Sequence, residues 1–322
     1  MNRRDFAQSV LAAAAVSSLP RFASAQGNPV RFILPNAAGS GVDAITRASQ
    51  AAFATALGAP VVVENQPGAG GVVGLQALAR SAPDGNTLSV VSNNVVIFPA
   101  VLKSLPFDML ADFTPIAVVG STPMVLIVNP AKMQATNHRE FMAALKEKPG
   151  AYNYGSSGNG TILHLATELY LDAAGIKAKH IPYKGVGPMV TDLLGGQVDF
   201  AVAALPSIQG HIGTGKLRPI GLFPAQRTQA AAAIPTFAEQ GLANFEVEAW
   251  FGVIGPKGMS PATVKKVHDA VSAAFADPGV REAMAKQGNT IRVTTTEQAQ
   301  AAFRSETAKY AALVKKVGLE PQ

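Results

Sequence analysis

A short apolar run, Val30-Arg31-Phe32-Ile33-Leu34, is followed by the turn-forming stretch Pro35-Asn36-Ala37-Ala38-Gly39-Ser40-Gly41-Val42-Asp43. Ile45, Ala48, Ala52, Phe53, Ala56 and Leu57 then recur at helical spacing, and Gly58 stops the helix. Pro60-Val61-Val62-Val63-Glu64 reads as the next strand. A strand, a crossover helix and a second strand need a right-handed connection and parallel pairing. This opening unit constrains the chain most, because it commits the fold to a sheet with helices on its faces.

The unit returns without sequence repetition. Tyr152-Asn153-Tyr154 leads into Gly155-Ser156-Ser157-Gly158-Asn159-Gly160-Thr161, and Ile162, Leu165, Ala166, Leu169, Tyr170 and Ala173 share a helical face behind it. Further strands are expected at 87–92, 116–119, 124–128, 180–182, 200–203 and 219–222. Helices are expected at 74–80, 139–146, 190–194, 207–213, 261–276, 278–287 and 297–317. The fold class is therefore α/β, with two similar lobes, each a mainly parallel sheet flanked by helices. In such sheets ligands sit at the carboxyl ends of the strands, where both glycine-rich loops fall.

The N-terminus reads as an export signal. Met1-Asn2-Arg3-Arg4-Asp5-Phe6 is basic, Val10 to Val16 is mildly apolar, and Ala23-Ser24-Ala25 is a small-residue cleavage site. The apolar run is too short to span a bilayer. Arg3-Arg4 also fits a twin-arginine signal, against an ordinary Sec signal. Cleavage near Ala25 removes three arginines and one aspartate, which takes the net charge from +6 to +4. That mild charge carries no basic run interleaved with aromatics, so nucleic acid is excluded as a partner. There are no cysteines, and the five histidines have no helical ligand spacing, so neither a disulfide framework nor a metal site is expected.

Three readings of the glycine loops compete. Gly, Ser and Asn ahead of a helix are ordinary caps. A phosphate cradle is the second, since Gly39-Ser40-Gly41-Val42-Asp43-Ala44 matches G-x-G-x-x-A and Glu64 stands where a ribose-binding acid belongs. That reading makes the chain an exported NAD- or NADP-dependent oxidoreductase, although Pro35 to Ala38 separate the strand from the first glycine. A carboxylate pocket is the third. Helix N-termini hold anions, and Ser156, Ser157, Asn159 and Thr161 add neutral donors without bulk. A serine nucleophile is excluded because Asn159 stands where G-x-S-x-G needs glycine.

Longer stretches point to a family. They are Val63-Glu64-Asn65-Gln66-Pro67-Gly68-Ala69-Gly70-Gly71, Ala82-Pro83-Asp84-Gly85 and Leu105-Pro106-Phe107-Asp108, then Tyr154 to Gly160, Ile181-Pro182-Tyr183-Lys184-Gly185, Asp192 to Asp199 and Ala249-Trp250-Phe251-Gly252. With these, the chain resembles the Bug-type extracytoplasmic solute-binding proteins, the receptors of tripartite tricarboxylate transporters. The resemblance implies a two-lobe periplasmic-binding-protein-like fold (type II) with two hinge crossings. It places one lobe at 27–124 plus 252–322 and the other at 125–251. It implies a periplasmic, monomeric, non-enzymatic receptor without a cofactor, which binds a small organic acid and hands it to membrane permease subunits. Its ligand-binding candidates are Asn36, Ala38, Ser40 and Asp43 in the first loop, and Ser156, Ser157, Asn159 and Thr161 in the second. Asn93 and Tyr183 are secondary candidates.

The chain departs from the family pattern in three places. Asn36 replaces an aromatic and Ala38 a proline, which makes the pocket entry less bulky and more polar. Ala203-Ala204 stand where an Asp-Asn pair is common, before Leu205-Pro206-Ser207. Losing that pair implies a ligand with a less polar distal end, such as an aromatic or monocarboxylic acid. Asp43 in the first turn suits the helix dipole more than it suits a bound anion. Trp250, the lone tryptophan, is expected in the core or at a hinge.

Overall fold

The computed structural model describes residues 28–243 and 245–321. The export signal, the paired arginines and the cleavage site lie outside the described residues.

The first half of the chain builds β1 (Val30–Leu34), α1 (Gly41–Leu57), β2 (Val61–Asn65), α2 (Val72–Ala79), β3 (Thr87–Ser92), α3 (Asn94–Val101) and β4 (Phe113–Thr122). It continues with β5 (Met124–Val128), α4 (His138–Glu147), β6 (Asn153–Ser156), α5 (Ile162–Ala174), β7 (Lys179–Pro182), α6 (Val186–Gly195), β8 (Phe200–Ala204), α7 (Leu205–Gly213) and β9 (Arg218–Leu222). The chain closes with β10 (Ala249–Pro256), α8 (Pro261–Ala276), α9 (Pro278–Lys286), β11 (Thr290–Ile291) and α10 (Thr296–Lys316).

Two sheets result. The first has the order β11-β4-β10-β3-β1-β2 and the second β7-β6-β8-β5-β9. The α/β class holds, but the sheets are mixed and not mainly parallel. β1 pairs in parallel with β2 and β3, and β6 with β7 and β8. β10 runs antiparallel to β3 and β4, and β5 antiparallel to β8 and β9. The reason lies in how the chain crosses between sheets. β1, β3, β4, β6, β8 and β9 all end toward the seam between the sheets. A strand that enters a sheet from the seam must run away from it, so β5 and β10 oppose their neighbours.

Only Pro123 separates β4 from β5 at the first crossing. The return lies between Leu222 and Ala249. Ala249, Trp250 and Phe251 already pair with β4 of the first sheet, so the return crossing falls before the boundary expected at 251/252.

Each sheet has its own apolar filling. Phe32 packs tilted against Phe53, and Phe53 meets Phe275 edge to face, which fixes α1 and α8 to the first sheet. In the second, Phe141, Tyr154, Tyr170 and Phe200 are fully buried. The C-terminal helix α10 braces the return crossing. Phe303 packs on Trp250 at 5.2 Å, and the Asn93 amide donates to Glu248 O and to the Tyr310 hydroxyl.

Candidate functional site: the cleft between the sheets

Between the sheets lies a cleft of about 610 Å³. It is walled by the 35–42 loop and the 67–71 turn of the first sheet, and by the 157–163 and 182–186 segments of the second. Met124, Ala204, Ala249 and Leu102 give an apolar floor, with Ser92, Asn94 and Thr122 beside them. This volume suits a small molecule.

Both glycine loops reach the cleft, and both also cap helices. Ser40 has extended backbone geometry, and its hydroxyl oxygen accepts from Asp43 N. Thr161 does the same for α5, accepting from His164 N. The cap reading and the pocket reading are therefore compatible, because capping uses one donor and leaves others facing the cleft. The Ile162 N–H is already used. It donates to Asn94 Oδ1 at 2.7 Å, a buried bond that joins the two halves of the molecule.

Of the residues singled out from sequence, Asn36, Ser40, Ser157, Asn159, Thr161, Tyr183 and Ala204 line the cleft. Five do not, and each has a physical reason. Ala38 sits at the exposed apex of its loop. Asn93 is fully buried against Glu248 and Tyr310, and its neighbour Asn94 lines the cleft. Ser156 points inward, where its Oγ lies 2.6 Å from His180 Nε2. Ala203 lies on the opposite face of β8 from Ala204, as strand alternation requires.

Asp43, the fifth, agrees with its expected place at a helix start. It is buried, and both carboxylate oxygens are committed. Oδ2 accepts from Gly39 N at 3.0 Å, and Oδ1 accepts from Arg47 Nε and Asn65 Nδ2, both at 2.9 Å. It shapes the first loop from behind. Asp43→Ala is expected to cost about 2–4 kcal/mol, because it strips partners from Arg47, Asn65 and Gly39 together. Urea unfolding measures this, and an unchanged midpoint would remove Asp43 from that role.

Several lining residues were not singled out. The 67–71 turn reads as simple turn chemistry, yet Gly70 approaches the Asn159 carbonyl across the seam. Among the described residues, Lys184 is the only ionisable side chain lining the cleft apart from the Tyr183 phenol. That phenol donates to Asp192 at 2.8 Å, and burial with Asp192 pushes it up to about 12, so it stays neutral. Among the described residues no Asp or Glu lines the cleft. Two buried polar atoms of lining residues, Asn36 Oδ1 and Thr122 Oγ1, have no hydrogen-bond partner.

Behind the second loop stands a polar stack in which Tyr154 and His164 are buried and His180 half-buried. The His164 and His180 rings lie 3.8 Å apart at 11°, and Tyr154 stacks on His180 at 4.9 Å. Gly160 N donates to His164 Nδ1 at 3.1 Å, and the Tyr154 hydroxyl donates to Glu168. Burial, then the neighbouring His180, pushes His164 down to about 3, and burial pushes His180 down to about 4. Both are neutral and hydrogen-bonded, His164 buried and His180 half-buried, and together they hold the loop. Among the described residues no group of His, Cys, Asp and Glu has metal-binding geometry.

Known proteins identify the assembly. The profile of the tripartite tricarboxylate transporter family receptor, TctC, matches residues 45–319. The chain belongs to this receptor family. The receptor is 35% identical to Protein BugT of Bordetella pertussis, over 90% of this chain and 89% of that one. Its fold superposes on the periplasmic binding protein BugD with a TM-score of 0.87 at 31% identity, covering 91% and 99% of the chains. It superposes equally, at 0.87 and 25% identity, on R. palustris Rpa4515 with adipate, covering 91% and 98%. The nucleotide reading falls with the receptor's geometry. Glu64 is held bidentately by Arg31, at 2.8 Å on both oxygens, and does not line the cleft.

Proposed function

We propose that this receptor captures a small organic carboxylate between its two halves in the periplasm and passes it to membrane permease subunits. The observation that carries the carboxylate is the lining itself. It offers neutral donors, the starts of α1, α5 and α6 and one lysine, with no carboxylate among the described lining residues to repel an anion. Asn36 and Thr122 are left for a ligand to satisfy, and the Asn36 amide can turn its NH2 to the same place. The relative solved with adipate supports this class. The apolar floor at Met124, Ala204 and Ala249 suits a hydrocarbon or aromatic body.

Residues 1–25 act as the export signal, with Arg3-Arg4 as a twin-arginine pair. The mature protein works as a monomer, needs no cofactor and catalyses nothing. The two lobes, joined at Pro123 and again between Leu222 and Ala249, hinge at these crossings and close on the ligand.

A thermal-shift screen of the mature protein tests the reading. The panel holds aliphatic and aromatic carboxylates, amino acids, NAD and NADP. A carboxylate at a hundred times its Kd adds ~2.7 kcal/mol, which raises Tm by several degrees. A shift with nucleotides alone would overturn it.

A further inference from the structure

Asn94 opens α3 in the first half of the molecule, yet its side chain serves the second half. Its Oδ1 accepts from the Ile162 N–H, at the start of α5, at 2.7 Å. A backbone N–H only donates, so the amide is fixed with its oxygen toward α5. Asn94 is 7% exposed, and the bond is buried. Ile162 is the first residue of α5, where an N–H has no acceptor within its own helix. One half of the chain therefore supplies the acceptor for a donor that the other half leaves over.

The residue before it turns to the hinge. The Asn93 amide donates to Glu248 O at 3.0 Å and to the Tyr310 hydroxyl at 2.6 Å, which grips the return crossing and α10. Two adjacent side chains thus join the hinge to the cleft end of α5. Other polar links between the halves are weaker. The Gln209 amide donates to Lys286 O, and Lys316 pairs with Asp172 at 3.3 Å, but both lie at the surface, where water competes. Beside Asn94 the facing turns meet by backbone approach. A β-carbon added to Gly70 would lie 3.8 Å from the Asn159 carbonyl oxygen.

A ligand that bridges the halves draws them together only while it is bound. The Asn94 bond needs nothing beyond the chain itself. From this placement we infer that Asn94 is the positioning residue that sets the closing equilibrium of the receptor. Its amide oxygen does for α5 what a ligand oxygen would do, and it holds the halves together before a solute arrives. A cleft that is largely closed in advance binds with higher apparent affinity, because only the binding-competent fraction counts. The inference rests on the hinge of the proposed function and not on its ligand class.

The test reads closure directly, on the mature protein with no ligand added. The chain has no cysteine, so nitroxide labels at Val73→Cys on α2 and Thr191→Cys on α6, both exposed, report the separation of the halves by pulsed electron resonance. The otherwise natural protein is expected to show one short distance. Asn94→Ala should raise the ratio of a longer-distance population to the short one by roughly two- to tenfold, the worth of one hydrogen bond. Ile162→Pro removes the other partner of the same bond. Proline suits the first helical position, and Thr161 already has the extended backbone that a following proline requires. It should give a similar shift, and the two changes combined should add nothing further. Asn94→Asp keeps the acceptor and should stay closed. Circular dichroism establishes that each variant folds. An unchanged distance in both N94A and I162P overturns the inference. So does a natural protein that shows the long distance and shortens only with hexanedioate or benzoate, in which case the hinge stands and Asn94 loses its role. A distance that no variant and neither acid alters removes the hinge as well.

Discussion

Gly160→Ala is expected to weaken ligand binding by at least about a hundredfold while the protein remains folded. Gly160 has φ of +70°, which an L-residue adopts at a cost of about 1 kcal/mol. The larger effect is steric. An added β-carbon would lie 2.2 Å from Val101 Cγ2 and 2.8 Å from Val101 Cβ. Val101 is β-branched and buried at the end of α3, so rotating its side chain does not clear the overlap. α3 follows β3 of the first sheet, whereas Gly160 follows β6 of the second. The overlap is therefore relieved most cheaply by separating the two halves. The same separation stretches the Ile162 N–H to Asn94 bond, which spans the same seam. Trimming Val101 removes the obstacle, so Gly160→Ala with Val101→Ala should recover much of the affinity. The carboxylate giving the largest thermal shift is the probe, with circular dichroism to establish folding. Natural affinity in Gly160→Ala alone would show that closure does not depend on this contact.

The fold was largely legible because its alternation of apolar runs and helical faces is strong. β3, β5 and α8 fall where periodicity put them. Two elements at the seam were missed. α3 spells Asn94-Val95-Val96-Ile97-Phe98-Pro99-Ala100-Val101, apolar on every side with an internal proline, and periodicity has nothing to grip in such a segment. β10 is buried along its whole length and shows no alternation either.

The site was legible as loops but not as individual side chains. Glycine, serine and asparagine ahead of a helix announce a usable N-terminus. They do not say which side chain turns outward. For Ala203 and Ala204 the answer was available, since neighbours in a strand face opposite ways. For Ser156 and Ser157 the direction depends on His180, which is distant in sequence and contacts only one of them. Asp43 illustrates the same limit. Its sequence position fits a helix start, but its commitment to Arg47, Asn65 and Gly39 appears only once β2 lies beside α1.

Acid should destabilise this protein well before most of its carboxylates titrate, and the stacked histidines His164 and His180 are the reason. In the folded chain His164 is held at about 3 and His180 at about 4, against an ordinary value of 6.5. Below pH 6.5 the unfolded chain binds a proton on each, while the folded chain binds neither. Stability is therefore full above 6.5 and falls as pH drops toward 4, at up to ~1.4 kcal/mol per pH unit for each histidine. Glu168 acts in the opposite sense. Burial raises its pKa, so the folded chain takes up its proton first and recovers part of the loss. The net fall between pH 6.5 and 4.5 is expected to be on the order of 3 kcal/mol, read from urea unfolding at both values. His180→Phe keeps a ring in the stack and removes one titrating group, so its slope should be shallower by about one proton. The loop should loosen before the core does, because the Gly160 N–H loses its acceptor when His164 takes a proton on Nδ1. Ligand affinity would then decline over the same range. Equal stability at pH 6.5 and 4.5 would mean that the two rings reach water in the folded protein and that the stack does not hold the loop.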